Sequence, residues 1–262
     1  MTATAAEDWK HWSEGRAAAV SARHGQLALT GTHWLEPDPA GIPGVPGRWW
    51  ADAEGVRLRA TASDGITVAG AAAPVDGEVL LRPDTDPAAD TASVGDVLLV
   101  PIEREGELAL RVFDPASPGR HSFAGISAYP YSPEWAVPAL YTPFEGEARA
   151  VLVPNADGKD RPLTLTGRIS FTVAGEHRTL TVGSAGRGLS GVIADASSGA
   201  DTYRFRFISL PEPDADGRTV LDFNRAYLPP CAFADHFICP FPPPGNRLDF
   251  VVEAGEKQVL TR

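Results

Sequence analysis

Proline and glycine set the first limit on this chain, with 24 prolines and 26 glycines spread over 262 residues. Proline fixes φ and removes a backbone donor, and glycine in a helix interior is entropically unfavourable, so a bundle of long helices is excluded. What remains is a chain of short strands joined by many turns. Hydrophobic residues make up 43% and charged residues 22%, ordinary globular proportions that allow a substantial core.

One helix is expected at the start. Thr4 and Glu7 have capping-box spacing, and Glu7 and Asp8 suit the positive end of the helix dipole. Trp9, Trp12 and Val20 fall on one face, which should pack on the body, and His24-Gly25 is the expected stop. The run Pro37 to Gly47 holds four prolines and three glycines and reads as a stiff irregular loop. Short strands are expected at Val56 to Ala60, Ile66 to Val68, Glu78 to Arg82, Val97 to Glu103 and Leu108 to Phe113. A composition shift at Pro115 to Pro118 divides the chain into residues 1–120, the helix plus a small β subdomain, and residues 121–262. In the second part, apolar Leu163, Leu165, Ile169, Phe171 and Val173 alternate with polar neighbours, the period-two signature of one half-buried strand. Gly167 marks a bulge or bend within it. Tyr203, Phe205 and Phe207 line one face of a later strand, leaving Arg204 and Arg206 as solvated charges on the other. The expected fold is therefore mainly β: an N-terminal helix, then two β subdomains, the second a sandwich or partly closed barrel.

Most chemical motifs are missing or incomplete. Gly186, Gly188 and Gly191 form G-x-G-x-x-G, but no helical period follows, so this is a glycine-rich β connection and no dinucleotide cofactor is expected. Asp84, Asp86 and Asp90 lack the glycine and closing glutamate of a calcium loop and read as a solvated acidic loop. The net charge of -11 disfavours a nucleic-acid partner. No run of 18 apolar residues suggests a membrane helix. The opening MTATAAEDWK has neither a basic start nor an apolar run, so no export signal and a cytoplasmic location are expected.

The distinctive segment is Leu221 to Lys257, with both cysteines, six prolines, five phenylalanines and the pairs Asn224-Arg225 and Asn246-Arg247. So many prolines rule out a regular helix or central strand, leaving an extended arm laid over the body. Phe223, Phe233 and Phe237 should anchor it. Its backbone needs partners, which Asn and Arg side chains supply, and an apolar wall with a few polar groups also suits a ligand pocket. Cys231 and Cys239 admit three readings. A disulfide would close a loop worth roughly 2.5 kcal/mol of chain entropy. With His236 they form C-x4-H-x2-C, which lacks the fourth ligand of structural zinc, so no metal is expected. Cys231 as a nucleophile, or a pair of plain buried thiols, completes the set.

The arm resembles a bacterial family known as domain of unknown function 1684. The resemblance rests on LDFNRAYLPPCAF, CPFPPPGNRL and VEAGEK. Upstream it is supported by LALTGTHWL, REGELALRVFDP, FAGISAYPYSPEW and DASSGADTY, in order along nearly the whole chain. The family often has Asn where this chain has Leu228. It implies no activity and no catalytic residues, but it ties Asn224, Tyr227, Cys231, Asn246 and Arg247 into one unit.

The expected function is a pocket, lined by the arm, for a small and anionic molecule, with enzymatic activity left open. Its candidate residues are Tyr129, Tyr203, Asn224, Arg225, Tyr227, Asn246 and Arg247, with Asp222 and Asp249 as internal partners of the two arginines. The alternative is a structural or protein-interaction β module whose arm seals a core.

Overall fold

The computed structural model describes residues 4–262. The chain is mainly β and divides into two compact units, one of residues 19–122 and one of residues 1–18 with 123–262.

Helix α1 (Ala5–Val20) starts where expected, with Glu7 accepting from the Thr4 amide at 2.7 Å and from its hydroxyl at 3.0 Å. It ends four residues before His24, at Val20. The composition shift at Pro115 to Pro118 places this helix with residues 1–120, but the stretch to Ala18 clusters with residues 123–262. The cause lies on the helix face. Trp9 Nε1 donates to the Asn224 carbonyl at 2.8 Å, and Arg16 Nε sits 3.0 Å from a Glu256 carboxylate that is 2% exposed.

The unit of residues 19–122 has two antiparallel sheets. One is built from β1 (Leu29–Trp34), β5 (Ile66–Val68), β7 (Ala92–Val94), β8 (Val97–Arg104) and β9 (Glu107–Phe113), in the order β1-β9-β8-β7-β5. The other has β2 (Ala40–Ile42), β3 (Val45–Asp52), β4 (Gly55–Ala60) and β6 (Gly77–Leu81), in the order β2-β3-β4-β6. In β4, Val56, Leu58 and Ala60 face the core around fully buried Trp49, and Arg57 and Arg59 face out. The Pro37 to Gly47 run is not the loop its composition predicts. Pro43-Gly44 joins β2 and β3 as a two-residue turn, with Ile42 opposite Val45 and Gly44 at φ 74°. Proline followed by a positive-φ glycine is the signature of a type II turn, so the breakers here nucleate a hairpin. The acidic loop is tied by ion pairs, Asp84 to Arg104 and Asp90 to Arg82, both at 2.8 Å. The short helix α2 (Pro118–Ser122) closes this unit.

The second unit holds β10 (Phe123–Ala128), β11 (Ala136–Pro143), β12 (Arg149–Pro154), β13 (Asp160–Leu165), β14 (Gly167–Val173), β15 (Glu176–Ala185), β16 (Gly188–Ile193), β17 (Arg206–Leu210), β18 (Arg218–Asp222) and β19 (Glu256–Thr261). Six strands form one sheet in the order β17-β16-β15-β14-β11-β18. The first and last strands of that order are consecutive in sequence and touch, with Thr219 Oγ1 donating to the Pro211 carbonyl at 3.1 Å. The sheet therefore curls around a core that includes Ile169, Phe171, Leu180, Val182, Ile208 and Phe223. β12–β13 and β10–β19 form separate two-stranded ribbons.

The long alternating strand expected at Leu163 to Val173 is two strands. Thr166 is the corner, its amide bonded to the Val182 carbonyl at 2.8 Å and its carbonyl accepting from Phe144 at 3.0 Å. Gly167 is required there, because a Cβ would lie 2.5 Å from the Thr142 carbonyl oxygen and from the Tyr141 ring. The G-x-G-x-x-G run makes the β15–β16 turn, with Ala185 opposite Gly188. Among the described residues no helix is long and apolar enough to cross a membrane.

Candidate functional site

After β18 the chain leaves the sheet and runs as an irregular arm to β19. Two single 3-10 turns, Phe223–Arg225 and Pro230–Ala232, punctuate it. It touches the body through isolated bridges, Tyr227 opposite Phe207, Pro240 opposite Asn155 and Arg247 beside Ala194. Phe223, Phe233 and Phe237 are all buried, as anchors should be. Phe241 adds a ring 4.9 Å from buried Phe205.

The two asparagines satisfy backbone. Asn224 Oδ1 accepts from the Ser132 amide at 3.0 Å, and its Nδ2 donates to the Ser132 carbonyl at 2.9 Å and to Asp222 at 2.9 Å. Asn246 is fully buried. Its Oδ1 accepts from the Thr181 amide and hydroxyl at 2.8 and 3.0 Å, and its Nδ2 donates to the Thr181 and Val192 carbonyls at 2.8 and 2.9 Å. An amide with both ends so occupied holds strands together and has nothing left for a ligand.

Of the two arginines, one pairs with the acid expected from sequence and the other does not. Arg225 lies near Asp222, Nε to Oδ2 at 3.5 Å, and over the Trp12 ring at 6.0 Å. Arg247 is exposed, and Asp249 pairs instead with Arg178 at 3.4 Å. The sealing arginine is Arg206, expected as a solvated charge and in fact 1% exposed. It pairs with buried Asp195 and donates to the carbonyls of Val252, Ala254 and Glu256. It is buried because the chain returns over β17 at Val252 to Glu256. That return needs Gly255 at φ 80°, where a Cβ would sit 2.5 Å from the Ala226 carbonyl oxygen. Arg204 is exposed as expected, with its guanidinium 5.2 Å from the Phe241 ring centre.

The three tyrosines converge by backbone on residues 255–257. The amide of Tyr129 bonds the Gly255 carbonyl at 3.0 Å and that of Tyr203 the Lys257 carbonyl at 2.8 Å, while the Glu256 amide bonds the carbonyl of Ala226, beside Tyr227. Their side chains separate. Lys257 Nζ lies 4.6 Å over the Tyr129 ring. Tyr203 donates to the Cys231 carbonyl at 3.0 Å and accepts from Arg204 at 3.0 Å. Burial pushes the Tyr203 phenol up to about 12, against the opposing pull of Arg204.

Tyr227 lines open space on two sides. A cavity of about 490 Å³ on the outer face of β15, β16 and β17 is walled by Leu163, Leu165, Val192, Phe207, Tyr227 and Pro240. Thr164, Ser184, Ser190 and Ser209 add hydroxyls to it. A second cavity of about 480 Å³ is lined by Trp12, Leu210, Val220, Asp222 and Arg225, and shares Ser209 and Tyr227 with the first. Composition of the arm predicted an apolar wall, but the partner wall from the β12–β13 ribbon and Trp12 comes from distant sequence.

Cys231 and Cys239 are buried and not joined by a disulfide, and the Cys231 amide donates to Cys239 Sγ at 3.3 Å. His236, in the same spacing, is exposed, so the three do not share one environment. Among the described residues no group of three His, Cys, Asp or Glu is arranged to hold a metal ion.

Residues 121–257 match the family model described as a protein of unknown function, DUF1684. The blocks LALTGTHWL and REGELALRVFDP lie outside that match. No curated protein matches the chain. Among solved structures it is similar to the uncharacterized protein from gene locus rrnAC0354 of Haloarcula marismortui, solved by solution NMR. Identity is 33% over 55% of this chain and 82% of that one, with a TM-score of 0.45.

Proposed function

Because the chain belongs to the DUF1684 family, whose description carries no activity, we propose its function from the geometry of residues 123–262 and helix α1: binding of a small amphipathic anion in the groove divided by Tyr227. The observation that supports this is the pair of adjoining cavities, about 490 and 480 Å³, sharing Ser209 and Tyr227. Small-ligand pockets fall in this size range and combine apolar walls with a few polar groups. The apolar part of the ligand lies against Leu163, Val192, Phe207 and Pro240. Its anionic group lies toward Arg225, whose long contact to Asp222 leaves most of its five donors for an incoming carboxylate. Asp222 is the charge such a ligand must tolerate, and the Asn224 amide and side chain already bind its Oδ1 at 3.0 and 2.9 Å.

Calorimetric titration with medium-chain carboxylates and the matching alcohols tests the reading. A carboxylate should bind, the alcohol of equal length more weakly, and Arg225→Met should lose about ten-fold in affinity, the worth of one charged hydrogen bond. No binding by any member of the panel overturns it.

A second reading, a structural or interaction module, is favoured by the saturation of Asn224, Asn246 and Arg206 within the fold. These residues hold the arm whether or not the groove is filled.

A further inference from the structure

We propose that Cys231 and Cys239 form a redox modification site, a dithiol that a hydroperoxide converts reversibly to an intramolecular disulfide. The inference does not rest on the ligand groove. Cys231 lies in the Pro230–Ala232 turn, and the chain folds back through a second turn in which the Phe237 amide bonds the Ala234 carbonyl at 3.3 Å. This return places Cys239 Sγ 3.3 Å from the Cys231 amide nitrogen. A sulfur that close to the Cys231 backbone is within side-chain reach of the Cys231 sulfur, as a disulfide requires.

Buried thiols are ordinarily inert when they sit among apolar groups. Cys231 has polar company instead. The Tyr203 hydroxyl lies 3.7 Å from its sulfur, and Arg204 donates to that hydroxyl at 3.0 Å. The single phenol hydrogen goes mainly to the Cys231 carbonyl at 3.0 Å and reaches the sulfur only at the longer distance; the neighbouring Cys239 first, with Tyr203 and Arg204, holds the Cys231 thiol below its usual range. Cys231 is therefore the attacking thiol and Cys239 the resolving one. The Cys231 thiolate attacks one oxygen of the hydroperoxide; an S–O bond forms, the O–O bond breaks, and the departing oxyanion takes up a proton to leave as alcohol or water. Cys239 then attacks the Cys231 sulfur; an S–S bond forms, the S–O bond breaks, and hydroxide leaves as water with the Cys239 proton. Two thiols lose two electrons and the hydroperoxide gains them.

The arm itself transmits the change. The Cys239 carbonyl accepts from the Ala156 amide at 2.9 Å, and the next two residues meet the β12–β13 ribbon through the Pro240 bridge and the Phe241 amide on the Pro154 carbonyl at 2.9 Å. A bond at position 239 thus acts on the segment that carries Pro240.

The test uses the full-length reduced protein, folded, exposed to hydrogen peroxide and then denatured in an alkylating reagent. Both cysteines fall in one tryptic peptide, Ala226–Arg247. That peptide should lose two hydrogens, take up no reagent, and recover both alkylation sites after dithiothreitol. In Cys239→Ser the reaction should stop at a Cys231 sulfenic acid captured by dimedone, and Cys231→Ser should yield no dimedone adduct under the same exposure. Two alkylated cysteines after peroxide, or only intermolecular or sulfonic products in the parent, would overturn the proposal.

Discussion

Arg206 and Asp195 form an ion pair closed off from water, their side chains 1% and 0% exposed. The pair is completed by backbone on both sides: Val252 and Glu256 carbonyls accept from the guanidinium at 3.3 Å, and the Ser197 amide donates to the carboxylate at 2.7 Å. Asp195→Asn leaves a buried cation without its counter-charge. The expected loss is about 3–5 kcal/mol in urea unfolding. Arg206→Met combined with Asp195→Leu removes both charges but strands the Val252, Ala254 and Glu256 carbonyls and the Ser197 amide, so it should also lower the urea midpoint rather than restore it.

Asn246 joins the arm to two strands that are far from it in sequence. Asn246→Ala removes its contacts to Thr181 and Val192 and leaves the Val192 carbonyl buried without its side-chain partner. A destabilisation of about 3 kcal/mol is expected, read as a lower urea midpoint. Arg247→Met, at an exposed neighbour with no ion pair among the described residues, should change the midpoint by less than about 0.5 kcal/mol.

Phe233 and Phe237 are 7% and 8% exposed. Truncating either to Ala should cost about 3–5 kcal/mol, provided the arm cannot collapse into the space. Parent-like melting of both variants would mean that the arm is not packed.

Tyr203 carries a pH signature. Its phenol ionises at 10.0 unfolded and at about 12 folded, so between those values the unfolded chain loses the proton first. Stability contributed by the neutral phenol is complete below pH 10.0 and is lost as pH rises toward about 12. Tyr203→Phe removes that proton. Alkaline denaturation followed by far-ultraviolet dichroism should fall less steeply with pH in the variant than in the parent.

Sequence made the local elements legible and left the long-range ones obscure. Val56 to Ala60 alternates cleanly, and β4 follows it. Thr4 and Glu7 mark the helix start because a cap is chemistry between near neighbours. The arm could be recognised as irregular from its prolines, and its asparagines as suppliers of hydrogen bonds to loop backbone. Arg206 could not be placed, since the carbonyls that bury it lie at least 46 residues downstream. Asp249 looked like a mate for Arg247, but the strand that brings Arg178 alongside decides the pairing. The groove was half visible: Tyr227 and Arg225 belong to the arm, whereas Trp12 and the β12–β13 ribbon approach only through tertiary packing.

The contact of Arg16 with Glu256 spans 240 residues of chain. Its consequence is temporal. During synthesis, helix α1 emerges before residues 19–122, which form a compact unit from a contiguous stretch and have their partners early. Helix α1 must wait. The carboxylate for Arg16 and the carbonyl for Trp9 are translated after that unit is finished, so the helix docks only at the last stage. Until then Trp9 and Trp12 lack the packing that leaves both half-buried in the folded protein.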